Sequence, residues 1–336
     1  MEWYNQGKYF KAIPVFEELM GLLKGKESVE EIYFHYCMAN FKQESYLMSA
    51  YHFKHYYNKH PYSKYAEEAL FMHAKSYEEQ SLIFSLDQTE TVKAIDAFQT
   101  YINTYPNSEN VKEANDVIEK LRNTLEKKAI SAADLYYKTK NYRAAAVSYK
   151  NLLLDYPDID NVKQIQFKTV ESYSKYAEQS IASKQKERYE EAIKTASNYL
   201  NRYPNSEFKF KVNKLKENAH YNVLKSNYDH AMYSSYSTKI SLLNEMDDLF
   251  AMHYTKIQDP ILKQKADNYI EKAYFQKLKE EYSQAQDSKL EEKSIYYKKA
   301  IEAYNIFNTK FSGSRYNNEA KRLFLASEKN FKKYTK

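Results

Sequence analysis

Amphipathic runs that stop at a helix-breaking position divide the chain into repeated units. The stops recur at intervals of 45 to 56 residues, at Pro61, Pro106, Pro157, Pro204, Pro260 and, in the last copy, Ser312. Proline lacks a backbone N–H and clashes with the turn that precedes it, so we expect a helix to end near each stop.

The residues before each stop follow a second pattern. The position eight residues earlier is bulky and apolar in five of six copies, which have Phe53, Phe98, Tyr149, Met252 and Tyr304, and the remaining copy has Ala196. The position four residues before that is small in most copies, with Ser49, Ala94, Ala145, Ala192 and Ala300. A small residue lets a partner helix approach, and an aromatic residue one turn later fills the space between the helices. The pattern therefore predicts the second helix of a helical hairpin.

The order of alanine, aromatic residue and proline resembles the tetratricopeptide repeat. In "AISAADLYYKTKNYRAAAVSYKNLLLDYP", Ala133 and Tyr136 also fit the first helix of that repeat. Each hairpin has apolar surface on both sides and must stack on its neighbours to bury it. We predict an all-α, tetratricopeptide-like solenoid, a superhelix of about six repeats with no sheet. On the repeat template the first helix should begin about ten residues before Met1.

Charge and composition remove several classes of function. The 51 basic and 45 acidic residues give a net charge of +6, and Lys and Glu alternate along most of the predicted helices, which is typical of solvated faces. No basic block indicates nucleic-acid binding. No apolar run approaches the roughly 18 residues that a membrane-spanning helix needs. The N-terminal residues do not have the pattern of a signal peptide.

The sequence offers little chemistry for catalysis or metal binding. Four glycines form no phosphate-binding motif, and no H-E-x-x-H or G-x-S-x-G is present. His52 and His55 lie one helical turn apart, but no carboxylate or thiolate partner is evident for a metal. The lone Cys37 occupies a small-residue position and is predicted to pack in the core. We predict no enzymatic activity, no metal and no cofactor.

Residues 86–158 carry a closer resemblance. After an inserted loop that closes in "DQT" come A-x-x-x-F, Y-P-N-S at 105–108, Ala114, Ala133, the pair Tyr136 and Tyr137, and Y-P-D at 156–158. This order resembles the BamD family of outer-membrane protein assembly factors. We therefore divide the chain into BamD-like repeats at 1–215 and further degenerate repeats with a capping helix at 216–336.

The resemblance implies a lipoprotein on the periplasmic face of the outer membrane. Members of the family are anchored by an acylated N-terminal cysteine, hold the periplasmic repeats of the barrel subunit BamA, and engage unfolded outer-membrane proteins. Cys37 lies inside a repeat and does not fit the anchor, which the resemblance places before Met1. For BamA docking, the exposed ends of the fourth copy offer Tyr137, Lys138 and Arg143.

The repeat template also suggests where an unfolded client would bind. An apolar strip with a cationic edge is expected on the concave face of the second and third copies, formed by Phe34, Met38, Phe41, Phe71 and Lys75. An aromatic-ended segment of a barrel strand would lie on such a strip. The alternative is that Phe34 and Phe71 pack against the neighbouring hairpin. The alternative function is a generic periplasmic tetratricopeptide adaptor of the cell envelope.

Overall fold

A computed structural model describes residues 1–26 and 28–335, and it contains helices but no strand within these ranges. The helices in the N-terminal half are α1 Glu2–Asn5, α2 Tyr9–Leu22, α3 Ser28–Lys42, α4 Tyr46–Lys59, α5 Ala66–Glu79, α6 Thr89–Thr104 and α7 Val111–Lys138. Those that follow are α8 Tyr142–Asp155, α9 Val162–Glu178, α10 Ala182–Arg202, α11 Lys209–Met232, α12 Tyr236–His253, α13 Pro260–Asp287, α14 Lys293–Lys310 and α15 Asn317–Tyr334. A 3₁₀ turn, Tyr254–Lys256, follows α12.

Consecutive helices pair as hairpins. Six complete hairpins run from α3/α4 to α13/α14 in the described chain, preceded by the pair α1/α2 and followed by the single helix α15. The all-α, tetratricopeptide-like prediction of about six repeats is thus confirmed.

The predicted stops coincide with helix ends. The helices α4, α6, α8 and α10 each end two residues before a proline, and α14 ends two residues before Ser312. Pro260 acts differently, because α12 has already ended at His253 and Pro260 is the first residue of α13. The Asp259 carboxylate accepts hydrogen bonds there from the backbone N–H groups of Ile261 (2.8 Å) and Leu262 (3.3 Å), so proline occupies the first position of a capped helix.

The residues predicted to fill the hairpins are buried in four of the six copies. Phe53, Phe98, Tyr149 and Ala196 are at most 1% exposed. The prediction that Met252 is buried is wrong, because its side chain is 62% exposed and Leu249 is buried instead. The 3₁₀ turn separates α12 from Pro260, so a count of eight residues back from this proline reaches the solvent side of the helix.

The chain forms two compact units, residues 1–132 and 133–336, and the boundary falls within α7. The predicted division at residue 215 lies inside α11, a continuous helix, so it does not separate two packed bodies. In the second unit, Ala192, Val223, Leu243, Met246 and Ala266 belong to one buried cluster of α10, α11, α12 and α13.

Candidate functional site

Two residues of the predicted apolar strip lie in the core of the first unit. Phe34 is 4% exposed and stacks on Tyr65, with ring centroids 4.4 Å apart and planes 11° apart. Phe71 is 8% exposed and meets Phe98 and Tyr101 edge to face, at 5.8 and 5.1 Å. Both side chains hold one helix against its neighbours. The expectation that they form an open binding surface is therefore corrected.

The other three residues of the strip remain accessible in part. Met38 and Phe41 are half-buried, and the Phe41 ring packs edge to face on Tyr46 at 5.4 Å. Lys75 forms ion pairs with Glu78 and Glu113, both at 3.1 Å. Lys75 is thus a neutralised cation that links α5 to α7, and it does not present a free positive edge.

A recess between α4 and α5 supplies apolar surface that the sequence pattern did not indicate. It has a volume of about 340 Å³ and is lined mostly by apolar groups, which include Leu47, Tyr51 and Tyr77. Leu47 and Tyr51 are 64% and 62% exposed. Their i, i+4 spacing on the face of α4 away from Phe53 was the available signal.

Two histidines line this recess, the buried His73 and the exposed His55. Nδ1 of His73 lies 2.8 Å from the Ala50 carbonyl oxygen, to which it donates a hydrogen bond. Burial lowers the pKa of His73 to about 4. Nδ1 of His55 lies 2.9 Å from the Tyr33 hydroxyl. His73 is therefore uncharged at neutral pH, and the recess combines its apolar groups with one lysine, Lys54.

The predicted docking residues lie at the turn between α7 and α8 in the second unit. Lys138 and Arg143 are exposed. Tyr137 is half-buried beside Tyr142 at 5.3 Å, and its pKa is raised by burial and by a hydrogen bond to Glu171. Tyr136 is 41% exposed and was not assigned a docking role. The accessible surface at this turn includes Tyr136 and the three exposed cations Lys138, Lys140 and Arg143, with Tyr137 as support.

A cluster of polar side chains next to this turn stabilises its position. The Asp134 carboxylate accepts hydrogen bonds from the Tyr149 hydroxyl and, at 2.6 Å, from Nζ of Lys168. Burial raises the pKa of Asp134, but the hydrogen bonds from Lys168 and Tyr149 outweigh it, and the pKa is lowered. The carboxylate therefore stays ionised and joins α7, α8 and α9.

Two further grooves occur in the second unit. One, of about 510 Å³, lies between α9, α10 and α11 and includes Lys175, Asn218 and Lys225. The other, of about 380 Å³, lies between α8, α9 and α10 and includes Leu154 and Lys194. Both are open clefts; the lining of the first is mainly polar and that of the second mainly apolar.

His52, His55 and Cys37 of the first unit make packing and hydrogen-bond contacts within the fold. His52 and His55 both face the Tyr33 hydroxyl, at 3.3 and 2.9 Å. Cys37 is fully buried, and burial raises the pKa of its thiol. Within residues 1–26 and 28–335, no three His, Cys, Asp or Glu side chains are grouped so that they could hold a metal ion.

The family of the chain follows from a comparison with family models. The model of YfiO, an outer membrane lipoprotein family, matches residues 1–188. The chain belongs to the YfiO family. The match extends from α1 into α10 and contains the α4/α5 recess and the α7/α8 turn. Membership in the YfiO family indicates association with the outer membrane, and no helix in the described parts of the chain is long and apolar enough to cross a bilayer.

Other comparisons add little to the family assignment. A search of the curated proteins gave no match. The chain is similar to a solved structure of the TPR2AB domain–pHSP90 complex of yeast Sti1, with 11% identity and a TM-score of 0.32, over 81% of this chain and 94% of that one. It is also similar to a structure of Naa15/Naa10 bound to HypK-THB, with 13% identity and a TM-score of 0.29, over 98% of this chain and 60% of that one.

Proposed function

We propose that this protein is a non-enzymatic scaffold subunit of the outer-membrane β-barrel assembly machinery, which binds BamA and unfolded outer-membrane proteins at the periplasmic face of the membrane. The observation that carries the proposal is the YfiO family match over residues 1–188. The BamD-like motif order at 86–158 lies entirely within this match. A lipid on the precursor would supply the membrane anchor.

The accessible chemistry supports binding over turnover. The acid Asp134 is hydrogen-bonded to its neighbours, and His73 is buried beneath the recess. Such groups stabilise the hairpins. At the α4/α5 recess and the α7/α8 turn we find no side chain activated as a nucleophile or base. Stacked hairpins instead offer clefts and helix ends, which are the usual contact surfaces of repeat proteins.

For BamA we propose the α7/α8 turn. Lys138 and Arg143 are exposed cations beside the exposed ring of Tyr136, and this combination favours an acidic or polar partner surface. Such an interface depends on charge, so its affinity should fall with salt, by screening over roughly 10 Å at 0.1 M.

For unfolded clients we propose the first unit. The α4/α5 recess takes the terminal aromatic side chain of a barrel strand. Met38 and Phe41 of α3 are half-buried and are the apolar residues of the predicted strip that stay accessible in part. Apolar burial carries this interaction, so it should depend little on salt.

Titration of the purified chain against the periplasmic region of BamA tests the docking site. Lys138→Glu combined with Arg143→Glu should weaken binding at least tenfold, which corresponds to about 1.4 kcal/mol. Lys163→Glu combined with Lys209→Glu is the matched control, because both lysines are exposed and the charge change is the same. Equal loss in both variants would show that only net charge matters.

A second titration uses a peptide with the C-terminal aromatic residue of a barrel strand. Tyr51→Ala should weaken its binding several-fold, whereas Met48→Ala, at a residue of α4 that is 47% exposed, should not. Absence of binding to both BamA and the peptide at micromolar concentration would reject the assembly-factor proposal.

The alternative is a generic periplasmic adaptor of the cell envelope. One observation favours it, because the 148 residues from 189 to 336, with most of α10 and all of α11–α15, lie outside the family match. Labelling of the protein in cells with radioactive palmitate separates the alternatives. Incorporation of the label supports the lipid-anchored assembly factor, and an unlabelled protein that does not bind BamA supports the adaptor.

A further inference from the structure

The net positive charge of the protein comes from one end of the sequence. Residues 289–336 contain 12 Lys and Arg but only 5 Asp and Glu, a net charge of +7. The preceding 288 residues contain 39 basic and 40 acidic side chains, a net charge of −1. The segment with α14 and α15 therefore carries the whole net excess, and it lies outside the family match.

The final helix places that charge on one face. Its inner side holds Ala320 and Ser327, both fully buried, and Phe324, which stacks on Tyr304 at 4.3 Å. The outer side has five exposed cations, at Lys321, Arg322, Lys329, Lys332 and Lys333. These positions follow the helical period, so they form a single stripe along the roughly 27 Å of α15.

The cations of this stripe are not neutralised. None of the five forms an ion pair with another residue in the described parts of the chain. The two acids of α15 are both half-buried: Glu319 pairs with Lys279 at 3.5 Å, and Glu328 lies at the edge of the stripe, one turn before Lys332. At the middle of the stripe, Leu325 is 53% exposed.

We propose that the outer face of α15 binds a membrane surface that carries anionic phospholipid headgroups. The stripe is a row of separate cations along the exposed side of one helix. A row of this kind matches a continuous layer of phosphates, and the central leucine can enter the headgroup region. An outer membrane lipoprotein family provides such a surface close by. The inference goes beyond the proposed function, because it needs neither BamA nor an unfolded client.

Sedimentation of the full chain with lipid vesicles tests the proposal. The chain should bind vesicles of phosphatidylglycerol and phosphatidylethanolamine at low salt. It should bind poorly to phosphatidylcholine vesicles, and poorly to either kind at about 0.5 M salt, where charges are screened within a few ångströms. Replacement of the five stripe cations by Gln should weaken binding to the anionic vesicles at least tenfold.

The matched control carries the same change of five charges elsewhere. Lys42, Lys59, Lys112, Lys163 and Lys265 are all exposed, and their replacement by Gln should leave vesicle binding almost unchanged. Circular dichroism of both variants verifies that the helices are retained. Equal loss in both variants, or no binding to anionic vesicles at low salt, overturns the proposal. Tighter binding to a labelled DNA duplex than to the anionic vesicles also overturns it.

Discussion

The hydroxyl groups of Tyr101 and Ser108 lie 2.6 Å apart, on either side of Pro106. The Ser108 oxygen also accepts a hydrogen bond from the backbone N–H of Asn110 at 3.1 Å, and the Tyr101 hydroxyl donates to Glu67 at 3.2 Å. One serine thus joins the end of a helix to the turn that follows it.

The same relationship recurs around other stops. Tyr56 and Ser63 flank Pro61 at 2.8 Å, and Tyr199 and Ser206 flank Pro204 at 2.6 Å. Around Pro157 the two positions are Leu152 and Ile159, which are both buried. At Pro157 an apolar pair thus replaces the polar one and leaves no unpaired hydroxyl. Around Ser312 the two positions are Phe307 and Ser314, and the Ser314 hydroxyl still accepts a hydrogen bond from the Tyr316 N–H at 3.0 Å.

Ser108→Ala should lower the free energy of unfolding by about 1–2 kcal/mol, because the buried Tyr101 hydroxyl and the Asn110 N–H lose a partner. Urea unfolding of the full chain measures the change. Tyr101→Phe in the same background completes a double-mutant cycle, and a coupling energy near zero would argue against the pair. Ser131→Ala, at an exposed position of α7, is the control.

Tyr149→Ala should cost about 3 kcal/mol or more, because it removes a fully buried aromatic ring. The loss of its hydrogen bond to Asp134 adds to the effect. Val147→Ala, on the same helix but 46% exposed, should cost under about 0.5 kcal/mol. A loss below about 1 kcal/mol for Tyr149→Ala would contradict its place in the core.

Stability should fall on acidification because of a buried histidine pair. Nδ1 of His220 and Nδ1 of His253 are 2.8 Å apart, and both side chains are at most 6% exposed. Burial, the neighbouring His253 and the cations Lys216 and Lys256 lower the pKa of His220 to about 4. Burial and Lys186 lower the pKa of His253 as well.

The sign of the effect follows from the protons bound in each state. Between pH 6.5 and about 4 the unfolded chain binds protons that the folded pair does not, so unfolding becomes easier as the pH falls. His220 alone accounts for up to about 3 kcal/mol over this range. Urea unfolding at pH 7 and pH 4.5 should show a smaller decrease for His220→Leu/His253→Leu than for the wild-type chain. An equal decrease in both would contradict the assignment, and His230→Gln serves as the control.

Removal of α15 should expose an apolar surface. The ring of Tyr316, just before α15, stacks on Phe275 at 4.5 Å, and Ala320 and Leu323 pack in the same cluster as Phe307. Deletion of residues 317–336 should therefore lower the melting temperature and cause aggregation, which differential scanning fluorimetry and light scattering measure. Deletion of Thr335 and Lys336 alone leaves α15 in place and should have little effect, while unchanged behaviour of the larger deletion would exclude a capping role.

The positions where helices end could be read from the sequence. Proline acts on the turn directly before it, and this local steric effect needs no tertiary partner. The burial of Phe53, Phe98 and Tyr149 was predictable for a related reason, since spacing from a helix end fixes the face of the helix. The same count failed at Met252, where a 3₁₀ turn intervenes.

Only the tertiary structure decided which side chains remain available for binding. The sequence pattern alone suggests that Phe34 lines a groove. In the structure Tyr65, which is 31 residues further along the chain, stacks on the Phe34 ring and covers it. Lys75 meets Glu113 from a helix 38 residues away, and His220 meets His253 across 33 residues. Helical periodicity fixes which face of its own helix a residue occupies. The identity of the neighbour that covers this face depends on the packing of later hairpins, which no local pattern encodes.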